Sequence, residues 1–507
     1  GNAEATRAVI GSKMPSETLL LVSIGMLVGI SILFVYSSGI DSAGESFSRE
    51  WIKQIVWALT GFALLAVMAN AGVGWLQAAA PYFYLFGLLL LVLTAAFGRE
   101  VNGARAWIGI GNFGIQPSEF TKVTTVAFLA AYFAGIGNGI KELPRFALGL
   151  LIVLLPIGLI LLQNDMGTAI VYMPIFLVAA LVAGAELRHL VFIPGVVLIA
   201  FSIAALPFLS GDGLLHMVAT ALADYSTARL YVGSLMAIVT LSFAGYWLSH
   251  SRPLYWIGYF SLIAFSGVVG AMLIRVALKP HYIARLSVFL DPWADPRGAG
   301  WNIIQSMTAV GSGGFAGKGF LRGTQSHYQY LPQQSTDFIF SIIAEEWGFI
   351  GVATVLALFS VILLRSIAIC QRARDDFSVA LSAGIVGMFL VHLVVNVGMA
   401  TGFMPITGIP LTFVSYGGSA LWTGLLSVGM LLSAARPVAV IGLRFSARFT
   451  SSQWRSNSGK VISSIVSPAS RTRRSRAWNL RRKRSLAPLS ASKGSTRRWR
   501  DKLTTVN

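Results

Sequence analysis

The sequence predicts an all-α fold, a polytopic integral membrane helical bundle. Three observations carry this. Apolar runs of about 18 or more residues recur along the chain, each long enough to cross roughly 30 Å of hydrocarbon. Only 12% of the 507 residues are charged and 55% are apolar, whereas soluble domains run near a quarter charged. The runs are continuous rather than alternating, which argues against an outer-membrane barrel. In lipid the backbone must pair within its own segment, so helices are the default.

The elements follow in order. Residues 1–16, which start with Gly1 and precede the first apolar run, are set aside as a leader or fusion remnant. Twelve spans are expected, at about 17–37, 52–70, 80–97, 118–135, 145–163, 167–184, 188–209, 228–248, 254–276, 337–364, 378–400 and 411–435. Residues 17–436 thus form one membrane domain, with an outer loop at 279–336 and a tail at 437–507. Of the 39 Lys and Arg, 18 fall from Arg436 onward, beside a single acid, Asp501. The rest of the chain is nearly neutral. Such a tail, poor in large apolar residues, is expected to be disordered and to adhere to anionic lipid. With that partner at hand, nucleic acid is not expected. One cysteine, Cys370, excludes an intramolecular disulfide.

Orientation follows from Lys and Arg near the span ends. With the tail inside and an even span count, both termini are cytoplasmic, as are Lys141, Arg145, Arg188, Arg252, Arg365, Arg372 and Arg374. Four glycine-, proline- and charge-bearing segments then lie outside: 98–119, 163–165, 279–336 and 402–410. Structured loops of this kind carry function.

Charged groups at membrane depth are costly and mark functional sites. In Gln116-Pro117-Ser118-Glu119-Phe120-Thr121-Lys122, Pro suits a helix's first turn. Glu119 and Lys122, three apart, share a face and can pair, either as a helix start or as the wall of a polar cavity. Arg105 presents a planar fork that matches phosphate, and Trp107 beside it fits an interfacial belt. Asp165, in Gln163-Asn164-Asp165, caps the next helix or lines the same cavity. The glycines around Lys318 could bring backbone N–H groups to an anion. Asp337, at the mouth of an apolar span, either caps the helix or sits in lowered dielectric that raises its pKa toward that of a base. Glu345 and Glu346, one or two turns deeper, need partners or a wet cavity. His392 and Asn396 share one span; His392 reads as a packed interhelical histidine. No zinc-spaced His/Cys cluster and no Ser-His-Asp arrangement is evident.

The segments GARAWI, QPSEFTK, QNDMGTA, GAGWNIIQS with GSGGFAGKG, LPQQSTDFIFSIIAEEWGFIG and TGIPLTFVSYGGSA together resemble the SEDS family of bacterial shape, elongation, division and sporulation polymerases. DPRGAG before IIQS and GTQS before YLP look like its RodA branch rather than its FtsW division branch. The resemblance implies a peptidoglycan glycosyltransferase in the bacterial inner membrane that polymerises lipid II for elongation and rod shape. It implies a class B penicillin-binding protein as partner, contact with rod-complex cytoskeletal proteins, and a divalent cation (Mg or Mn) whose ligands remain unassigned. It makes Asp337 catalytic, and Arg105, Gln116, Glu119, Lys122, Asp165, Lys318, Gln325 and Ser415 substrate-binding. The chain departs from the family in Gln333-Gln334-Ser335 before Asp337, in the extra helix pair at 228–276, and in the long tail. A lipid II flippase, the division homologue and a tail-dependent scaffold are the rival readings.

Overall fold

The computed structural model describes residues 15–436 apart from 102, 111–112, 210–224, 278–284, 286 and 299. The expected leader and the basic tail at 437–507 therefore lie outside the described residues, as does part of the 279–336 loop.

Continuous apolar sequence folds here as helix after helix: α1 (Pro15–Ser37), α2 (Glu50–Asn70), α3 (Val73–Phe97), α4 (Pro117–Ile136), α5 (Leu143–Leu162), α6 (Met166–Val182), α7 (Leu187–Leu209), α8 (Tyr225–Ser249) and α9 (Arg252–Ala277). Then come the short α10 (Trp301–Ser312) and α11 (Thr324–His327), and the long α12 (Ile339–Arg372), α13 (Asp376–Ala400) and α14 (Gly418–Ala435). Among the described residues eleven helices are long and apolar enough to cross a membrane. The twelfth expected span is α6, apolar but only 17 residues long. Twelve apolar helices thus stand where twelve spans were expected.

The bundle is organised around α13, which packs on α4, α6, α10, α12 and α14. Of its apolar window 83% is buried, against 11% for α8 at the periphery. Small residues permit this close approach, as expected where lipid supplies no hydrophobic drive between helices. A Cβ at Gly387 would lie 3.0 Å from the Pro174 carbonyl of α6, and one at Gly384 would lie 2.8 Å from Val126 of α4. The extra pair, α8 and α9, pack on each other, and α9 packs on α7.

Between α3 and α4 the chain makes a small antiparallel sheet that the sequence reading left as loop: β1 (Arg99–Val101), β2 (Ala104–Ile110) and β3 (Phe113–Ile115). Its registers pair Val101 with Ala104 and Gly109 with Gly114.

One long helix is broken. Gly348 in α12 has φ 60° and ψ −152°, so the ladder is interrupted there. The glycine-rich loop after α10 fills the gap. Lys318 and Gly319 donate their N–H groups to the carbonyls of Glu345 and Glu346, at 3.0 and 2.9 Å. Beyond the break, Phe349 and Ile350 donate to the carbonyls of Gly314 and Phe315, at 2.9 and 3.2 Å. The loop and the helix exchange backbone partners, which satisfies groups that a kink in lipid would leave bare. These glycine-loop N–H groups serve a helix, not an anion.

Candidate active site

A cavity of about 650 Å³ opens where α4, α6, α12 and α14 begin and α5 and α13 end. Its walls include Trp107 of β2, Gln116, Asp165, Arg285, Asp337 and Tyr416. The turns carrying Lys141 and Arg145, Arg188, and Arg372 lie at the other ends of α4, α6 and α12. At about 1.5 Å per residue, α4 and α6 put their far turns roughly 25–30 Å from the cavity, and the longer α12 carries Arg372 farther still.

Asp337 is not a helix cap. The cap position of α12 is Phe338, with no side-chain capping bond, and the Asp337 N–H closes a turn onto the Gln333 carbonyl at 3.0 Å. Its carboxyl faces the cavity, near Gly408, where an added Cβ would lie 3.6 Å from Oδ2. Burial pushes its pKa up to about 6, against the opposing pull of the Thr336 hydroxyl and the Arg285 guanidinium.

Asp165 fills both roles open to it. It caps α6, accepting from the Thr168 N–H at 3.0 Å and its hydroxyl at 2.8 Å, and it lines the cavity. Gln116 donates to its Oδ2 at 2.9 Å, and the Gln116 N–H donates to Ser419 Oγ at 3.0 Å. Gln116 thus ties the start of α4 to those of α6 and α14.

The other expected site residues lie outside the cavity lining. Arg105 is exposed and absent from the lining, although its neighbours Ala104, Ala106 and Trp107 belong to it; its N–H donates to the Gln163 carbonyl at 2.8 Å. Glu119 and Lys122 form a buried ion pair of 2.8 Å behind the wall. The Lys122 ammonium also lies 3.0 Å from His392 Nε2, and His392 Nδ1 lies 3.0 Å from the Pro410 carbonyl. A carbonyl only accepts and an ammonium only donates, so the ring is the neutral Nδ1–H tautomer. Ser415 is consumed internally, its hydroxyl accepting from the Leu411 N–H at 2.8 Å.

Lys318 and Gln325 belong to a second cluster, built on the acids of α12. Glu345 takes the Lys318 ammonium at 2.6 Å and the N–H groups of Thr324 and Gln325 at 2.8 and 3.0 Å. Glu346 accepts from the Ser37 hydroxyl at 2.5 Å and the Leu321 N–H at 3.1 Å. His327 stands 3.6 Å from Glu346, which raises its pKa above the ordinary imidazole range. Both acids thus have the partners that membrane depth demands.

The FtsW/RodA/SpoVE family of cell cycle proteins matches residues 13–212 and 204–439. The chain belongs to this family. It is 46% identical to the peptidoglycan glycosyltransferase RodA of Treponema pallidum over 420 residues, covering 82% of this chain and 96% of that protein. It is 31% identical to the peptidoglycan glycosyltransferase MrdB of Escherichia coli K12, covering 82% and 92%. The fold matches a solved chain from work described as "Structural coordination of polymerization and crosslinking by a peptidoglycan synthase complex", with 26% identity, a TM-score of 0.57, and coverage of 82% and 96%. It also matches the rod shape determining protein RodA of Thermus thermophilus (24% identity, TM-score 0.50, 82% and 95% covered). The chain is a multi-pass membrane protein of the SEDS family.

Sequence reasoning missed Arg285, the cation that lines the cavity with Asp337. Tyr416, Thr407 and Gly408, which line it too, come from the helix-breaking segment TGFMPITGIP and its continuation. The prolines and glycines of that segment were the available signal.

Proposed function

We infer that this protein is a peptidoglycan glycosyltransferase of the elongation branch, polymerising lipid II with Asp337 as general base. The observation that carries the reading is the pairing, in one cavity, of a carboxyl whose pKa is pushed up to about 6 with Arg285. A base works best when its pKa lies near the operating pH.

Asp337 takes the proton from the 4-hydroxyl of the acceptor's N-acetylglucosamine. That oxygen attacks the anomeric carbon of the lipid-linked donor with inversion, and the polyprenyl pyrophosphate leaves. Arg285 faces the charge that develops on the leaving group, where a preorganised cation is most effective. Lys122, held by Glu119 and His392, supports the wall instead.

A divalent cation fits this cavity only in company with the substrate. Among the described residues no group of three or more His, Cys, Asp or Glu could hold one. Asp165 Oδ1 accepts a single hydrogen bond, and such an oxygen with pyrophosphate oxygens and water suits Mg²⁺. The ion would supply charge neutralisation at the leaving group.

The cavity faces the outside of the inner membrane in this reading, with both termini cytoplasmic, in keeping with the cations at the opposite helix ends. A class B penicillin-binding protein is the proposed partner, consistent with the likeness to a chain of a peptidoglycan synthase complex. Purified protein in detergent should extend labelled lipid II into glycan, and Asp337→Asn should abolish this while remaining folded. Full activity of that variant would remove Asp337 from the chemistry. Chain growth in detergent, where no transbilayer gradient exists, also separates polymerase from flippase.

A further inference from the structure

Asn396 lies near the C-terminal end of α13 and is fully buried. Its amide nitrogen donates twice, to the Asp337 carbonyl at 3.0 Å and to the Ile409 carbonyl at 2.9 Å. Both acceptors are carbonyls, so the orientation of the amide is fixed by its partners. The two carbonyls belong to separate walls of the cavity: the entry to α12, and the segment that brings Thr407, Gly408 and Pro410 to the lining. Asn396 Oδ1 is buried and takes no hydrogen bond among the described residues. One turn earlier on the same helix, His392 Nδ1–H meets the Pro410 carbonyl. Two side chains of the most buried helix therefore grip consecutive carbonyls, Ile409 and Pro410. Asn396 alone extends the grip to Asp337.

We propose that Asn396 is a positioning residue for the polymerisation chemistry, its amide tying the backbone of Asp337 to that of Ile409 and so fixing the reactive carboxylate against the cavity wall. The inference rests on Asp337 acting in this cavity. Asn396 does not reach substrate. Its effect runs through the placement of Asp337, because small misplacement of a catalytic group costs rate more than binding.

The test compares wild type, Asp337→Asn, Asn396→Asp and Asn396→Leu, purified in detergent, by lipid II polymerisation across pH and by thermal unfolding. Asp matches Asn in shape but cannot donate twice, and Leu fills the volume without donating at all. Both Asn396 variants are expected to lose kcat by about 10–100-fold, the scale of a misplaced group, with KM changed less than about threefold. The acid limb of the residual rate should also move, because Asp337 leaves the setting formed by its burial, Arg285 and the Thr336 hydroxyl. A purely structural Asn396 would give activity in proportion to folded protein with the wild-type pH profile, and that result would overturn the proposal. Inactivity of wild type, or full activity of Asp337→Asn, would instead overturn the function on which it rests.

Discussion

Lys318 holds Glu345 twice: its backbone N–H donates to the Glu345 carbonyl at 3.0 Å, and its ammonium meets the Glu345 carboxylate at 2.6 Å. The first contact mends the break in α12 and the second neutralises an acid at membrane depth. Removing the Glu345 carboxylate therefore leaves the N–H groups of Thr324 and Gln325 without that acceptor and Lys318 without its counter-charge, with the Thr324 hydroxyl as its remaining partner. Glu345→Ala should lower stability by about 3–5 kcal/mol, the usual effect of breaking a buried pair, read as a drop in thermal midpoint in detergent. An unchanged midpoint would show that the loop is held by its backbone alone.

The break itself depends on Gly348. Its φ of 60° with ψ of −152° is a region that only glycine occupies without strain, and an added Cβ would lie 2.3 Å from the Gly317 nitrogen. Gly348→Ala should destabilise by at least about 1–3 kcal/mol. A wild-type unfolding curve would mean that α12 tolerates a continuous ladder here.

For Asp337, activity and stability should respond to acid in opposite directions. Its folded pKa is raised to about 6, so the folded state binds the proton more tightly than the unfolded chain. Its contribution to stability is full below the ordinary carboxylate value of about 4 and is lost as pH rises through about 6. The base, by contrast, works only when ionised, so the rate should fall tenfold per pH unit below about 6. Asp337→Asn should lower polymerisation by about 10²–10⁴-fold and raise the thermal midpoint at pH 7. A rate that is flat from pH 7 to pH 5 would contradict the assignment.

The arginines Arg285 and Arg105 should separate cleanly. Arg285 lines the cavity, whereas exposed Arg105 lies outside the lining. Arg285→Ala should cost polymerisation at least tenfold, the scale of about 1.4 kcal/mol of transition-state charge stabilisation. Arg105→Ala should stay within about twofold. Equal losses in a lipid II assay would mean that both reach the leaving group.

Lys122→Met strips a buried carboxylate of its cation. With Glu119 3% exposed and Lys122 fully buried, a loss of about 3–5 kcal/mol is expected. The double change Glu119→Gln with Lys122→Met should recover part of it. A double variant worse than the single one would show that Lys122 acts chiefly through His392.

The helices were legible because lipid imposes one rule, internal satisfaction of the backbone, and apolar length alone reports it. Asp337, Asp165 and Gln116 were legible because polar groups at helix ends facing one loop layer stand out against apolar sequence. Arg285 was not, since one cation in a long loop has no periodicity to mark its wall. Glu119 and Lys122 were found as a pair, but sequence could not say which side of the wall they occupy. The strands β1–β3 were missed although Asn102-Gly103 carries a hairpin dipeptide, because β1 and β3 have only three residues each and β2, ARAWIGI, mixes small and apolar residues with no polar alternation. The glycine loop admitted two readings, and only the partner carbonyls of α12 decide between them.

The ion pair behind the cavity has a consequence for biogenesis. Lys122 reaches His392 across 270 residues of chain, but Glu119 is only three residues away. At about 5–20 residues per second, α13 follows α4 from the ribosome by roughly 15–50 s. Through that interval Glu119 shields the ammonium within its own helix, so α4 can enter the bilayer before its interhelical partner has been synthesised.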